Sequence, residues 1–225
     1  MTKYSVIIPC HNEAETIGAV LAGVKECVPD AEMIVVDDGS VDQTGRIVAE
    51  IPWVRLIRLE NNSGKGVALR KGMQAAGGDV FVFIDGDGQD DPADLTLVLK
   101  EAEKGHAFVN GSKFIGTIEK GGISLPNYWG NRLMSGLINL LFGSAVTDSQ
   151  SGFRAVSKQL AGPWRLSSIQ YEIETEMLCK ALKAKVKVKE IPVTRKPRKA
   201  GATGFRRLRN GLRILFTILK ERFTT

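Results

Sequence analysis

The chain has 225 residues, 43% hydrophobic and 25% charged, with a formal net charge of +6. That composition supports a substantial core and excludes global disorder. Its three cysteines, Cys10, Cys27 and Cys179, contain no CxxC pair, which argues against a disulfide scaffold or zinc cluster and fits a reducing compartment.

Strand-like and helix-like segments alternate. Residues 4–8 (YSVII) form a short β-branched run closed by Pro9 and preceded by no apolar leader. Ile17, Val20, Leu21, Val24 and Val28 then recur at the spacing of one helix face, and Asn12 with Glu15 resembles a capping box. Residues 33–37 and 54–59 read as strands, with helical character at about 42–50 and 65–76. The near-continuous apolar run 80–85 (VFVFID) is expected of a central parallel strand covered on both faces. A helix at 92–104 and a strand at 107–110 follow, then a loop over 116–126 and a helix at 127–142. The remainder reads as a strand at 151–157, a helix at 169–184, a strand at 186–193, a basic loop at 195–203 and a last helix at 204–223. The longest uncharged apolar-rich stretch, 133–147, is fifteen residues, short of the roughly 20 that span a bilayer.

Alternation at this spacing predicts βαβ units and a mostly parallel sheet with flanking helices. In such sheets ligands bind beyond the carboxyl ends of the strands. Three acidic, turn-rich segments fall there: 9–13, 37–40 and 85–91. In the last, Asp85 and Asp87 lie one residue apart after an apolar strand, a spacing that lets two carboxylates converge on one hard cation, Mg2+ or Mn2+, with Gln89 as a further oxygen donor. An EF-hand fails, because positions six and twelve of such a loop would be Asp90 and Thr96. The NNSGKG turn at 61–66 lacks the spacing of an ATPase phosphate loop, although the backbone amides of the helix beginning near Lys65 can approach an anion.

Charge is unevenly placed. Residues 180–225 hold fifteen Lys or Arg against Glu190 and Glu221, whereas residues 1–179 hold sixteen basic and twenty-three acidic side chains. A basic tail on an acidic body suits phosphates, a lipid headgroup layer or nucleic acid. The acidic body and the lack of aromatic residues interleaved with the basic ones argue against nucleic acid.

The segments VIIPCHNE (6–13), VDDGS (36–40), GKG (64–66), FIDGDGQDD (83–91), GSKF (111–114), DSQSGFR (148–154), YEIE (171–174) and EIPVT (190–194), in this order, resemble family 2 glycosyltransferases of the GT-A fold, in particular dolichyl-phosphate mannose synthases and related polyprenyl-phosphate hexosyltransferases. The resemblance implies a GT-A domain over 1–203 and an amphipathic interfacial helix over 204–225. It implies that Pro9, His11, Glu13 and Asp38 border the nucleotide of a nucleoside-diphosphate sugar, with Asp37 and Gly86 close by. Asp85, Asp87 and Gln89 would hold the metal. Lys113, standing where the family usually has Arg, would face phosphate as a point charge. Arg132 and Ser135 would bind the phosphate of the lipid acceptor. Arg198, Gly201 and Thr203 would close a loop over the site, and Asp87, Arg132 and Arg198 would carry catalysis.

The implied reaction moves a hexose, mannose favoured, onto dolichyl or polyprenyl phosphate. An acceptor phosphate is already anionic and needs no general base. The demand on the site is screening of two anions, which Lys113, Arg132, Arg195 and Arg198 would provide, with Glu172 and Glu174 either orienting those cations or serving a structural role on their helix. A single displacement inverts the anomeric carbon. Another donor, UDP-glucose or UDP-GlcNAc, or a hydroxyl acceptor of a glycan, is the alternative.

On the last helix Leu208, Leu212, Leu215 and Leu219 fall on one stripe flanked by Phe216 and Phe223, with Ile214 and Ile218 widening it. Arg206, Arg209, Arg213 and Lys220 lie beside it. A broad apolar face beside a basic band is what an interfacial helix needs, and 133–142 offers a second apolar surface. These features predict a cytoplasmic protein, peripheral on the cytoplasmic face of an anionic membrane. The same faces would also serve packing on the sheet, a homo-oligomer or a small membrane-anchoring partner.

Overall fold

The structure, a computed structural model, describes residues 3–198 and 207–224. Its strands are β1 (Tyr4–Cys10), β2 (Glu32–Asp37), β3 (Val54–Arg58), β4 (Val80–Phe83), β5 (Phe108–Ile118), β6 (Arg154–Ser157) and β7 (Lys189–Arg195). They form one sheet in the order β3-β2-β1-β4-β6-β5-β7. The pairings are parallel except around β6, which runs antiparallel to both β4 and β5. The helices are α1 (Ile17–Cys27), α2 (Thr44–Ala49), α3 (Lys65–Ala75), α4 (Leu95–Glu103), α5 (Leu125–Phe142), α6 (Lys158–Ala161), α7 (Glu172–Lys183) and α8 (Arg207–Phe223).

The apolar runs of β1, β2 and β4 are continuous because both faces are covered. Val6, Ile8, Val35 and Val82 face one core with α1 and α4; Ile7, Val36, Phe81 and Phe83 face another with α3, α5, α7 and α8. The expected α/β architecture is therefore present, a mostly parallel sheet between helical layers.

Four local expectations change. Asn12 does not cap α1; it adopts a left-handed backbone (φ 56°) and its Oδ1 accepts from the Val41 amide at 2.9 Å, tying two loops together. The carbonyl of Glu13 takes the amides of Thr16 and Ile17 instead. β5 continues to Ile118 through part of the predicted loop, pairing with β7 across a register shift between Ser112 and Thr117. Gly116 permits this, since a Cβ there would lie 2.2 Å from the Val193 carbonyl oxygen. α7 begins at Glu172, not 169, because Glu172 accepts the amides of Ile169 and Gln170 and holds them in a turn. The short α6 was not expected; Ser157 caps it by accepting from the Leu160 amide at 3.2 Å.

The last helix is part of the fold. α8 packs on α5 and α7, and its Ile214 and Ile218 enter the shared core, each worth about 1.5–3 kcal/mol of burial. A boundary at 203/204 thus does not separate two cores. Its Leu208, Leu212, Phe216, Leu219 and Phe223 stay exposed, as do Trp129, Leu133 and Leu140 of α5. No helix among the described residues is long and apolar enough to cross a membrane.

Candidate active site

The site lies at the carboxyl edge of β1, β2 and β4. Because β6 is antiparallel, the DSQSGF segment leading into it arrives at that same edge. The parallel β7 delivers 195–198 there from the other side.

A cavity of about 610 Å3 is lined by Pro9, His11, Glu13, Asp38, Asp85, Gly86 and Asp87, and by Lys65, Tyr171 and Arg198. Asp38 shapes it: Oδ1 accepts from the Ser63 amide at 2.7 Å and Oδ2 from the Gly64 amide at 2.8 Å. Gly64 then opens α3 at φ 103°, where a Cβ would strike the Ile169 carbonyl oxygen. His11 Nδ1 lies 2.7 Å from the Asp38 carbonyl oxygen. Asp37 is fully buried outside the cavity lining, held by the Ser40 amide at 2.9 Å and by Arg58 Nε at 3.3 Å. It is thus a support for the β2 turn.

Asp85 meets Lys65, whose Nζ lies 2.6 Å from Oδ1 and 2.8 Å from Oδ2 and also 2.6 Å from Glu174 Oε1. Burial works against the charge on Asp85, but Lys65, Arg195 and Arg198 outweigh it and hold the carboxyl below its usual range. Burial likewise opposes the Lys65 charge, and Asp85 and Glu174 together overcome it and raise the amine. Asp87 moves up, chiefly through burial, with Asp85 and Asp90 adding to the effect against the pull of Arg195. Glu174 also moves up through burial. Arg198 bridges Asp87 Oδ2, at 3.0 Å, and Glu13. Burial raises Glu13 to about 7 even though Arg198 opposes the shift.

A second cavity, about 470 Å3, shares Lys65, Asp85, Asp87, Tyr171 and Arg198 with the first and continues between α5, α8 and the 121–124 loop. Lys113 lines it, with Nζ 2.6 Å from Asp148 Oδ2. Asp148 also accepts from Asn131 Nδ2 at 2.7 Å, while Glu190 accepts from the amides of Thr147 and Asp148. Two residues expected at the acceptor phosphate lie elsewhere. Arg132 is exposed on α5 with its guanidinium 5.5 Å from the Phe114 ring centre. Ser135 is buried, donating to Asn131 or Ser149 and accepting from the Ser149 amide at 3.0 Å. Neither lines either of these two cavities. The α5 positions that do are Pro126, Asn127, Gly130, Asn131 and Met134.

The donor set suits a hard cation in part. Asp85 and Asp87 face both cavities with carboxylate oxygens, the hard donors that Mg2+ or Mn2+ takes, and in this structure Lys65 and Arg198 occupy them. Gln89 does not fit: its Oε1 accepts from Arg195 at 2.9 Å and its Nε2 donates to the Lys196 carbonyl at 3.1 Å. It serves to fasten the 195–196 segment. Among the described residues no group of three His, Cys, Asp or Glu forms a ready cage, so a cation held by two carboxylates would share its remaining positions with substrate oxygens.

Gly201 and Thr203 lie outside the described residues. The side chain of Lys65 is a functional group beyond those expected from the sequence, and the GKG turn before a helix is its signal. Arg209 and Arg213, expected in the basic band beside the apolar face of the last helix, both line the larger cavity.

The chain belongs to glycosyl transferase family 2, whose profile matches residues 5–162. It is 33% identical over 210 residues to the UDP-N-acetylglucosamine–dolichyl-phosphate N-acetylglucosaminyltransferase of Methanococcus voltae, covering 84% of this chain and 83% of that one. It is 30% identical over 199 residues to the dolichol-phosphate mannosyltransferase of Pyrococcus furiosus, covering 85% of this chain and 56% of the relative. The fold matches glucosyl-3-phosphoglycerate synthase from Mycobacterium tuberculosis, solved with Mn2+, uridine diphosphate and glucosyl-3-phosphoglycerate, with a TM-score of 0.78 and 22% identity across 100% of this chain and 81% of that one.

Proposed function

We propose that the protein transfers a hexose, mannose favoured, from a nucleoside-diphosphate sugar to dolichyl or polyprenyl phosphate with inversion at the anomeric carbon. The observation that carries this reading is the wall common to the two cavities: Lys65, Asp85, Asp87, Tyr171 and Arg198 border both. Two substrates seated in them would meet across one set of charges. Relatives named for transfer to dolichyl phosphate support the acceptor class.

In this reading Pro9, His11, Glu13, Asp38 and Gly86 border the donor nucleotide. Asp85 and Asp87 hold a divalent cation, Mg2+ or Mn2+, which when bound neutralises the charge gained by the departing diphosphate. Arg198 exchanges a carboxylate partner for phosphate oxygen, which its forked donors match. Lys113, at the wall of the smaller cavity, supplies a cation for the acceptor phosphate, with Asp148 fixing its position. Arg132 and Ser135 line neither cavity; Ser135 positions Asn131, which does line the smaller one. No protein base is required, because the attacking phosphate oxygen already carries charge.

The exposed apolar residues of α5 and α8 seat the enzyme on the cytoplasmic face of a membrane, at the depth where a lipid phosphate resides. The same surface is open to a second copy or to a small anchoring partner. The relative acting with UDP-N-acetylglucosamine favours a second reading in which the acceptor stays and the sugar changes. A panel of radiolabelled GDP- and UDP-sugars assayed with a short polyprenyl phosphate separates them. GDP-mannose turnover supports the first and UDP-GlcNAc turnover the second; turnover restricted to soluble sugar acceptors overturns both.

A further inference from the structure

We infer that Arg209 and Arg213 of α8 belong to the donor site and clasp the phosphates of a nucleoside diphosphate. The inference rests on the donor reading above and adds residues to it. Among the described residues, four Lys or Arg side chains line the larger cavity: Lys65, Arg198, Arg209 and Arg213. Lys65 is engaged by Asp85 and Glu174, and Arg198 by Asp87 and Glu13. Among the described residues Arg209 and Arg213 have no carboxylate partner and no hydrogen-bond acceptor.

The carboxylates of this cavity have their needs met elsewhere. Asp38 accepts two backbone amides, Glu13 and Asp87 share Arg198, and Asp85 takes Lys65. An anion entering the cavity can therefore recruit Arg209 and Arg213 without breaking an ion pair, whereas Lys65 and Arg198 must first be released. Two guanidiniums four residues apart occupy one side of a helix, and their forked donors suit adjacent phosphate groups.

The helix carrying them is held in register. Asn210, Ile214, Thr217 and Ile218 are buried, which fixes Arg209 and Arg213 at one flank of α8. Gly211 and Ile214 border the smaller cavity at the other flank. α8 thus stands between the two cavities and turns Leu208, Leu212 and Phe216 outward. A lipid headgroup offers the same phosphate chemistry as the nucleotide, and the test distinguishes the two sources.

Isothermal titration of the full-length protein with UDP and with GDP, in Mn2+ and without lipid, reads the donor side directly. The double variant R209A/R213A is expected to bind the preferred nucleotide about tenfold more weakly or worse. R209K/R213K should recover part of the loss, and R222A, on the exposed last turn of the same helix, should match wild type. Equal nucleotide affinity in wild type and R209A/R213A overturns the proposal. So does an equal loss in R222A, or a double variant that keeps nucleotide affinity while losing flotation with phosphatidylglycerol vesicles. A wild-type protein that binds neither UDP nor GDP overturns the donor reading itself and the clasp with it.

Discussion

The sheet-edge wall of the larger cavity is polar and fixed by backbone amides and ion pairs, whereas much of the smaller one is bounded by the faces of α5 and α8 and by the 121–124 loop. Asp38, bonded to two amides, and Asp85, straddled by Lys65, each have little freedom. Met134 and Ile214 instead present apolar surface that adapts to what lies against it. Sheet-end turns give directional charge, which suits a diphosphate; helix faces give area, which suits a lipid.

The sharpest way to break this contrast is Asp87→Ala, expected to lower transfer by roughly 10^2-fold or more while far-UV circular dichroism stays that of wild type. Near-normal turnover would remove Asp87 from the cation site. Lys65→Met should produce the largest loss of stability, about 3–5 kcal/mol by urea unfolding, because it strands Asp85 and the buried Glu174 without their shared cation. A melt unchanged by that substitution would mean that the shared wall is not held by Lys65.

On the apolar side, Leu212→Glu with Phe216→Glu should abolish flotation with anionic vesicles. Both side chains are exposed, at 59% and 69%, so stability should move by no more than about 0.5 kcal/mol. Retained flotation would assign that face to a protein partner.

The smallest effect concerns Glu13. Burial raises it to about 7 from an unfolded value near 4.5, so between those values the folded state binds more protons than the unfolded one. Stability contributed by protonated Glu13 is therefore present below pH about 4.5 and lost as pH rises toward about 7. Glu13→Gln should flatten this decline by about 1–2 kcal/mol. Thermal melts in chelator across pH 5–8 read the difference, and parallel curves for the two proteins would contradict it.

Most of the parallel half could be read from residue order. Continuous apolar runs mark strands covered on both sides, and polar punctuation after them marks the ligand edge. Asp85 and Asp87 were legible as candidates because two carboxylates one residue apart follow such a strand and fall at that edge. The place of β6 was not visible, since nothing local in residues 151–157 says that they enter antiparallel between β4 and β5. Asn12 misled because its side chain serves a loop across space, and Gln89 because an amide that can reach a metal can equally fasten Arg195.

Periodicity, composition and the spacing of acidic turns specify an α/β sheet with its charges at one edge, because those properties depend on which neighbours along the chain share a face. Pairing between residues far apart is a different matter. That Lys65 reaches Asp85 and Glu174, that Ser135 is spent on Asn131 and Ser149, and that α8 lends two arginines to a cavity while burying Ile214 and Ile218 follow only from how the helices settle on the sheet. Burial, which sets what each charge must find as a partner, is a property of the packed molecule.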